Sequence, residues 1–423
     1  MARRSETQGD KIARGLTRRQ LIELEACARC GECQVWCPVY AQDKRECITA
    51  RGKLDSLRRL VKDRLPEKER SDFLNGLYEC SACGQCHVVC PVRINTPELW
   101  EQTRWSLVNA GIPQPESQIK QLAQIKEFNN SFGKPQQERG IWAKMAWEAG
   151  FLKMPVPLWR DHPTSLIYFA GCTVSFDPAM QSVAVQTARL LQEAGIDFSI
   201  LGDEEPCCVG KLRRMGDLDF PSEAKKRSDQ LARMGLSTVV VSCAGCFKGL
   251  HSDYSKLWPE KVRIVHLVQL LDRLLQDRLL SLEHEVPLVV TYHDPCHLGR
   301  HNRIYDEPRR ILQTIPGLRL VEMPRHRAFS SCCGMGGGLK TVNPEIQHRM
   351  GAERIREAEA TGAEAIVTPC QTCSMGLIHG VAEAGSRMKV YHLNEVLLRS
   401  VRPDITAEKV QAAFKRLTEP VQF

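Results

Sequence analysis

The sequence predicts an α + α/β chain: a mostly helical first part followed by two duplicated α/β units. Three observations carry that expectation. Short β-branched apolar runs such as Thr238–Val241 and Ala365–Thr368 alternate with helix-period segments, residues 186–194 and 353–361 among them, which is the pattern of parallel α/β layers. The cysteines of this part occur twice in one order. Cys172, then Cys207 and Cys208, then Cys243 and Cys246 are matched by Cys296, Cys332 and Cys333, and Cys370 and Cys373, with an offset that grows only from 124 to 127 residues. Ahead of them, residues 21–25, 54–61 and 72–78 have helical periodicity, and no alternating strand pattern appears.

Length and composition set the frame. A chain of 423 residues has room for two or three domains, and 43% hydrophobic with 26% charged residues is ordinary for a soluble globular protein. No apolar run has the length that spans a bilayer. The leucine-rich stretch 267–282 is broken by Asp272, Arg273, Asp277 and Arg278 and reads as an amphipathic helix. Arg3 and Arg4 have no apolar region behind them, so no export signal is expected and the expected compartment is the cytoplasm. A reducing compartment keeps thiols free, so 19 cysteines need a role other than disulfides. The net charge of +8 reads as solubility, or as docking to an acidic partner, a membrane surface or an anionic substrate. Nucleic acid is not expected as a partner, because no aromatic-interleaved basic stripe or zinc-finger spacing occurs.

Nine cysteines lie between Cys27 and Cys90 and ten between Cys172 and Cys373, with none from about Trp100 to Pro163. Pro113, Pro115, Pro135, Pro155, Pro157 and Pro163 punctuate that gap, as in a connector wrapped on a surface. The expected divisions are a helical module 1–110, a connector 111–164, α/β units 165–281 and 282–402, and a tail 403–423. The duplicated units match around their cysteines as well. Residues 167–170 precede Cys172 as 288–292 precede Cys296, and the phrases Ile264-Val265-His266-Leu267 and Val390-Tyr391-His392-Leu393 close the two units. The cysteines are expected on loops at strand ends.

In the first part, Cys27, Cys30, Cys33 and Cys37 are followed by Pro38, and Cys80, Cys83, Cys86 and Cys90 by Pro91. Both runs fit C-x₂-C-x₂-C-x₃-C-P, the spacing of bacterial ferredoxins, in which the fourth cysteine reaches the other cluster. This assigns Cys27, Cys30, Cys33 and Cys90 to one [4Fe–4S] cubane, and Cys80, Cys83, Cys86 and Cys37 to a second. Gly31 and Gly84 let the backbone approach each cluster. Zinc also uses C-x₂-C pairs, but it leaves the third cysteine, the proline and the duplication without a role. The 42 residues between Cys37 and Cys80 suit a helical insertion, and Cys47, in no set, reads as a buried free thiol.

Each later unit offers five cysteines, one more than a closed zinc site uses. A thioredoxin-like C-x₂-C after a strand leaves the lone and adjacent cysteines without a role. The order C-x₃₄-CC-x₃₄-C-x₂-C and then C-x₃₅-CC-x₃₆-C-x₂-C, with His293-Asp294-Pro295-Cys296-His297 and Cys332-Cys333-Gly334-Met335-Gly336-Gly337, resembles the cysteine-rich CCG domains. Two ferredoxin sets followed by two such domains resemble the D-type subunit of heterodisulfide reductase, equivalent to its fused C and B subunits, across roughly residues 21–398. Related chains serve glycerol-3-phosphate dehydrogenase, glycolate oxidase, sulfite-reduction complexes and the class II benzoyl-CoA reductase complex. The resemblance implies a non-cubane [4Fe–4S] cluster on Cys172, Cys207, Cys208, Cys243 and Cys246, and another on Cys296, Cys332, Cys333, Cys370 and Cys373. With the two cubanes, four clusters are expected. One departure is Val209 where the family has glycine; valine disfavours positive φ, so the first loop is expected to sit differently.

His293, His297 and His326 flank the second set, either as hydrogen bonds that hold the loop or as proton donors to a leaving thiolate. Lys248, Arg300, Arg303, Arg325 and Arg327 read as solvated surface charges or as partners of an anionic substrate. His266 and His392 recur in equivalent places and read as framework. Gly334-Met335-Gly336-Gly337-Gly338 does not follow the G-x-G-x-x-G pattern, so no flavin or nicotinamide site is expected in the chain itself. The functional expectation is an iron–sulfur oxidoreductase subunit that takes electrons from a flavoprotein or other redox partner and reduces or forms a disulfide. The alternative is a non-catalytic conduit between a flavoprotein dehydrogenase and a quinone pool or a larger reductase. No membrane span of its own is expected.

Overall fold

Each duplicated unit is built on a small parallel sheet. β1 (Leu166–Phe169), β2 (Thr238–Val241) and β3 (Arg263–His266) form one, in the order β1-β2-β3. β4 (Val289–Tyr292), β5 (Arg319–Val321), β6 (Ala365–Thr368) and β7 (Lys389–His392) form the other, in the order β5-β4-β6-β7. β1, β2 and β3 are thus the counterparts of β4, β6 and β7. The place of β5 is held in the first unit by a single parallel bridge between Ile167 and Ser199, where the Tyr168 N–H donates to Ser199 O at 2.9 Å. The central strands β2 and β6 are almost wholly apolar because helices cover both faces of a parallel sheet. The computed structural model describes residues 6–253, 257 and 262–418; Arg3, Arg4 and the end of the tail lie outside them.

The helices run further than the periodicity marks. In the first part they span Arg18–Glu25, Ala50–Leu60, Glu67–Tyr78 and Thr96–Asn109. Leu57, Phe73, Leu77, Leu99 and Trp100 form their shared core. The later segments become Gln181–Glu193 and Pro344–Glu359. The leucine-rich stretch is helical only over Leu267–Gln276; Asp277 caps it, and Arg278 turns the chain at φ 57°.

The two units pack about an approximate twofold relation. Helix Gln181–Glu193 of the first lies on Leu393–Val401 of the second, and Leu267–Gln276 of the first on Asp306–Thr314 of the second. Asn394 Nδ2 donates to Thr187 Oγ1 at 2.7 Å across one contact, and Arg310 pairs with Asp272 at 2.5 Å across the other.

The connector is not a surface wrap. Its helices Glu116–Phe128 and Ile141–Glu148 bury Leu122, Ile125 and Trp142 in the core of the first unit. The prolines punctuate its turns, but apolar residues at helical spacing between them supply a buried face, and burial of that face outweighs exposure.

His266 and His392 end β3 and β7 and cap the helices that follow. Their Nδ1 atoms accept from Val268 N and Asn394 N, each at 3.3 Å, so these histidines are framework in both units. Burial pushes His266 down to about 4, and both imidazoles stay neutral in the folded chain. The unfolded chain protonates them near 6.5. Their contribution to stability is therefore complete above that value and lost as the pH falls toward 4. His266→Asn, whose amide oxygen keeps the cap, is expected to reduce the loss of unfolding free energy between pH 8 and pH 5 by about 2 kcal/mol, read from anaerobic urea titrations. An unchanged pH dependence would contradict this.

Candidate functional site

In the helical module the cysteines converge on two cavities. Cys27, Cys30, Cys33 and Cys90 line one, with Cys86 at its wall; Cys37, Cys80, Cys83 and Cys86 line the other. The fourth cysteine of each run thus lies beside the first three of the other. Each loop turns through two left-handed residues that flank its middle cysteine: Arg29 and Gly31 at φ 56° and 90°, Ala82 and Gly84 at φ 52° and 80°. This coils the backbone around the sulfurs. Ala82 N donates to Cys80 Sγ at 3.4 Å, and Tyr40 N to Cys37 Sγ at 3.5 Å. Cys47 lies in neither cavity and is half-buried.

Two cations at the second cavity bear on what it holds. Lys53 is 2% exposed and lines the cavity over the Trp100 ring, and Arg104 is 0% exposed beside Cys80. Among the described residues neither has a carboxylate within ion-pair distance. A buried cation without counter-charge is costly, whereas a thiolate-bound iron–sulfur cluster carries net negative charge. Burial pushes the Cys37 thiol up to about 11, while Lys53 and Arg104 hold the Cys80 thiol below its usual value. The donor set and its surroundings fit a cluster.

The paired-cysteine sets open on one shared cavity of about 370 Å³. Cys172, Cys207, Cys208, Cys243 and Cys246 line it from the first unit, and Cys296, Cys333, Cys370 and Cys373 from the second. Cys207, Cys208, Cys243, Cys296, Cys333 and Cys370 lie on loops as expected, whereas Cys172, Cys246 and Cys373 lie in the helices Cys172–Phe176, Ala244–Phe247 and Gln371–Ala384, because the chain turns into a helix directly after each strand-end loop. The two sets meet where Thr372 Oγ1, beside Cys370 and Cys373, lies 3.6 Å from Cys243 Sγ. Cys333 and Cys373 are 3.4 Å apart. Cys332 is not on this cavity; it packs in one buried cluster with Cys83 of the helical module. The unit with the second set therefore touches the second ferredoxin-type site directly.

Valine at position 209 does not displace its loop. Val209 adopts φ 42° and is fully buried, and Gly334 in the second unit has φ 83°. The two loops close alike: Val209 N donates to Cys207 Sγ and Gly334 N to Cys332 Sγ, each at 3.4 Å. Packing and the sulfur hydrogen bond hold the valine in a conformation that costs on the order of 1–3 kcal/mol.

Of the three flanking histidines, His293 contacts Cys333. Arg354 Nε donates to its Nδ1 at 3.3 Å, which leaves the other ring nitrogen to face the sulfur. His297 lines the shared cavity with a buried Nε2 that has no partner. His326 is outside the cavity. The five basic residues singled out from the sequence also stay outside it, and most are already engaged. Lys248 pairs with Glu101 at 3.1 Å and Asp253 at 2.7 Å, Arg325 with Glu353 at 2.9 Å, and Arg327 with Asp306 at 2.7 Å. Arg300 donates to Cys83 O at 2.8 Å, against the helical module. Lys211, Arg214 and Lys340 line the cavity instead. Sequence reasoning missed them, although both lysines follow a paired-cysteine loop closely.

Family models match at both kinds of site. A 4Fe-4S dicluster domain covers residues 23–94, and a cysteine-rich domain matches twice, at 166–251 and 290–378. The D-type subunit of the dihydromethanophenazine:CoB–CoM heterodisulfide reductase of Methanosarcina mazei is 34% identical over 386 residues, covering 87% of this chain and 91% of that protein. The chain belongs to the family of heterodisulfide reductase D-type subunits. As a member it is an iron–sulfur oxidoreductase subunit with a 4Fe–4S dicluster domain and two CCG domains. An EtfAB:quinone oxidoreductase of Syntrophomonas wolfei is 26% identical over 443 residues, covering 94% of this chain and 61% of that one. A crystal structure of a hypothetical protein from Helicobacter pylori shares the fold at TM-score 0.53 and 11% identity, over 95% of this chain and 76% of that one. No helix among the described residues is long and apolar enough to cross a membrane.

One guanidinium joins the dicluster module to both CCG domains. Arg104 donates to Leu77 O and Cys80 O in its own module, to Arg214 O in the first CCG domain and to Gly337 O in the second, at 2.5–2.9 Å. Arg104→Leu strands these four buried carbonyls and is expected to cost on the order of 3–5 kcal/mol. Under anaerobic urea, cluster absorbance and tryptophan fluorescence should then no longer change together, with partial recovery in Arg104→Lys. A coincident, unshifted transition in Arg104→Leu would contradict this.

Proposed function

We propose that this chain is the disulfide-reducing, or disulfide-forming, component of a heterodisulfide reductase-like complex, supplied with electrons by a flavoprotein or another redox protein that docks at the dicluster module. The observation that carries the reading is the single cavity onto which both paired-cysteine sets open. Its size suits a small molecule, and a conduit has no use for a chamber between its last two cysteine sets. In this reading Cys27, Cys30, Cys33 and Cys90 hold one cubane cluster, and Cys80, Cys83, Cys86 and Cys37 the second. Cys172, Cys207, Cys208, Cys243 and Cys246 hold a non-cubane [4Fe–4S] cluster, and Cys296, Cys332, Cys333, Cys370 and Cys373 its counterpart. When bound, these groups supply one-electron transfer and iron that accepts a soft thiolate sulfur.

The chain's own side chains do the rest. Phe132, Met335 and Met375 line the cavity and give it apolar walls. His293, fixed by Arg354, holds Cys333 in place. His297, on the same wall, has a buried Nε2 without a partner, and in this reading it hydrogen-bonds a thiol as it leaves. The net reaction, R–S–S–R′ + 2e⁻ + 2H⁺ → RSH + R′SH, breaks one S–S bond and forms two S–H bonds. The electrons come from the reduced partner and the protons from solvent. We place the chain in the cytoplasm, with any membrane link made through a partner.

A second reading, electron conduit only, is favoured by the likeness to the quinone oxidoreductase. Turnover of the CoB–CoM heterodisulfide by the anaerobically purified chain, with a reduced viologen as donor, tests the two. The first reading predicts turnover well above that of cluster-free protein. Turnover at that background would support the conduit instead.

A further inference from the structure

The two cysteine cavities of the dicluster module differ in charge and in exposure. At the first, Cys30 is exposed and the cations on the wall are balanced. Arg29 pairs with Asp55 at 2.7 Å and Arg51 with Glu46 at 2.8 Å, and the exposed Glu32 adds a negative charge. At the second, no aspartate or glutamate lines the wall. The cation there is Lys53, on helix Ala50–Leu60. Its Nζ donates to Gly76 O at 3.3 Å and lies 5.3 Å from the centre of the Trp100 ring.

The same wall carries two more buried residues with protons to give. Trp100 Nε1 and both amide atoms of Gln85 have no partner, although Trp100 is 1% and Gln85 3% exposed. A buried N–H left unsatisfied calls for an acceptor, and thiolate and sulfide sulfurs are acceptors. Among the described residues that line the first cavity, none has such an unsatisfied buried group. Charge and donors thus point the same way. The second cavity suits a negative group and favours more negative charge on it.

Reducing a cluster adds one negative charge. Burial alone makes that harder, so by exposure alone the first site would be the easier to reduce. A buried cation acts in the opposite sense. At a distance of a few ångströms and an effective dielectric of about 20, a unit charge is worth more than tenfold in such an equilibrium.

We propose that Lys53 sets the direction of electron flow within the module: its ammonium raises the reduction potential of the cluster held by Cys37, Cys80, Cys83 and Cys86 above that of the cluster held by Cys27, Cys30, Cys33 and Cys90. This rests on the reading of these cysteines as two cubane sites and is independent of the disulfide chemistry. An electron delivered by the reduced partner at the exposed first site then passes inward. The first cluster is oxidised and the second reduced by one electron, with no bond made or broken and no proton moved. At 2% exposure Lys53 is out of reach of a docking partner, and it acts through the field it imposes on the inner site.

The test is an anaerobic, mediated redox titration of the cluster-loaded chain followed by EPR, with Cys30→Ser to mark the signal of the first site and an iron count on every variant. In wild type the unmarked cubane signal should appear at the higher potential. In Lys53→Met, and in Lys53→Gln, which keeps a donor for Gly76 O, its reduced-to-oxidised ratio at fixed potential should fall at least about tenfold, a shift of about 59 mV for a one-electron couple. The marked signal, further from the substituted charge, should change by less than about twofold, and Lys53→Arg should keep the wild-type order. A higher potential at the first site in wild type, unshifted midpoints in both neutral variants, or an equal shift of both signals would each overturn the proposal. Loss of about four irons, one cluster, from both neutral variants would overturn it too, since Lys53 would then hold the cluster or the fold rather than set a potential. A single cubane signal in wild type would remove the two-cluster assignment, and the proposal with it.

Discussion

Arg104 sits where the dicluster module and the two CCG domains meet, and the arrangement of all the cysteine sites depends on how it is satisfied. Its guanidinium spends its donors on main-chain carbonyls from all three parts instead of on a carboxylate. A carboxylate would neutralise the charge and leave the three parts free to move apart. Carbonyls leave the charge in place beside Cys80 while fixing the distances between loops. The approach is close: a Cβ on Gly337 would fall 2.3 Å from Cys80 O, and the residue has φ 61°, so glycine alone fits. A chain that moves electrons between sites needs such fixed spacing. Here the buried cation and the glycine loop act beside an apolar contact in which Val39 and Ile48 of the module meet Leu339, Ile346 and Met350 of the second CCG domain.

The two CCG domains are alike in framework and unlike in chemistry. Both cap their last helix with a strand-end histidine, and both close the paired-cysteine loop with an N–H···S bond. The sulfurs have different neighbours. In the first domain Arg139, from the connector, pairs with buried Glu205 at 2.6 Å and reaches Cys172 Sγ at 3.5 Å. In the second, a neutral histidine faces Cys333. The two similar cradles thus carry a cationic donor in one domain and a neutral donor in the other. Such second-layer contacts set the properties of a bound cluster.

Much of this was legible before the structure. The cysteine spacings pointed to both kinds of site, and Thr238–Val241 and Ala365–Thr368 stood out as strands because β-branched runs between helix-period segments have few other uses. Three things were not legible. The connector's prolines suggested a surface path, yet Leu122, Ile125 and Trp142 anchor it in the core, since punctuation does not show which face of a short helix is buried. The basic residues chosen by proximity to cysteines were the wrong ones. Lys248 and Arg325 lie near the sets in sequence but are neutralised by Glu101 and Glu353, which are distant in the chain. Lys211 follows Cys208 and Lys340 follows Cys333 closely in sequence, but that both reach one cavity is a property of packing. Val209 was misjudged for a similar reason: a left-handed valine is unfavourable locally and is held by its burial.

The central claim is that both paired-cysteine sets are loaded cluster sites facing one chamber. An anaerobic iron and sulfide count with EPR, on wild type and on Cys333→Ser, tests it most directly. The account predicts about sixteen irons per chain, four for each of four clusters, and a distinct signal that disappears in the variant. About eight irons in fully loaded wild-type protein, with a spectrum that Cys333→Ser leaves unchanged, would contradict it.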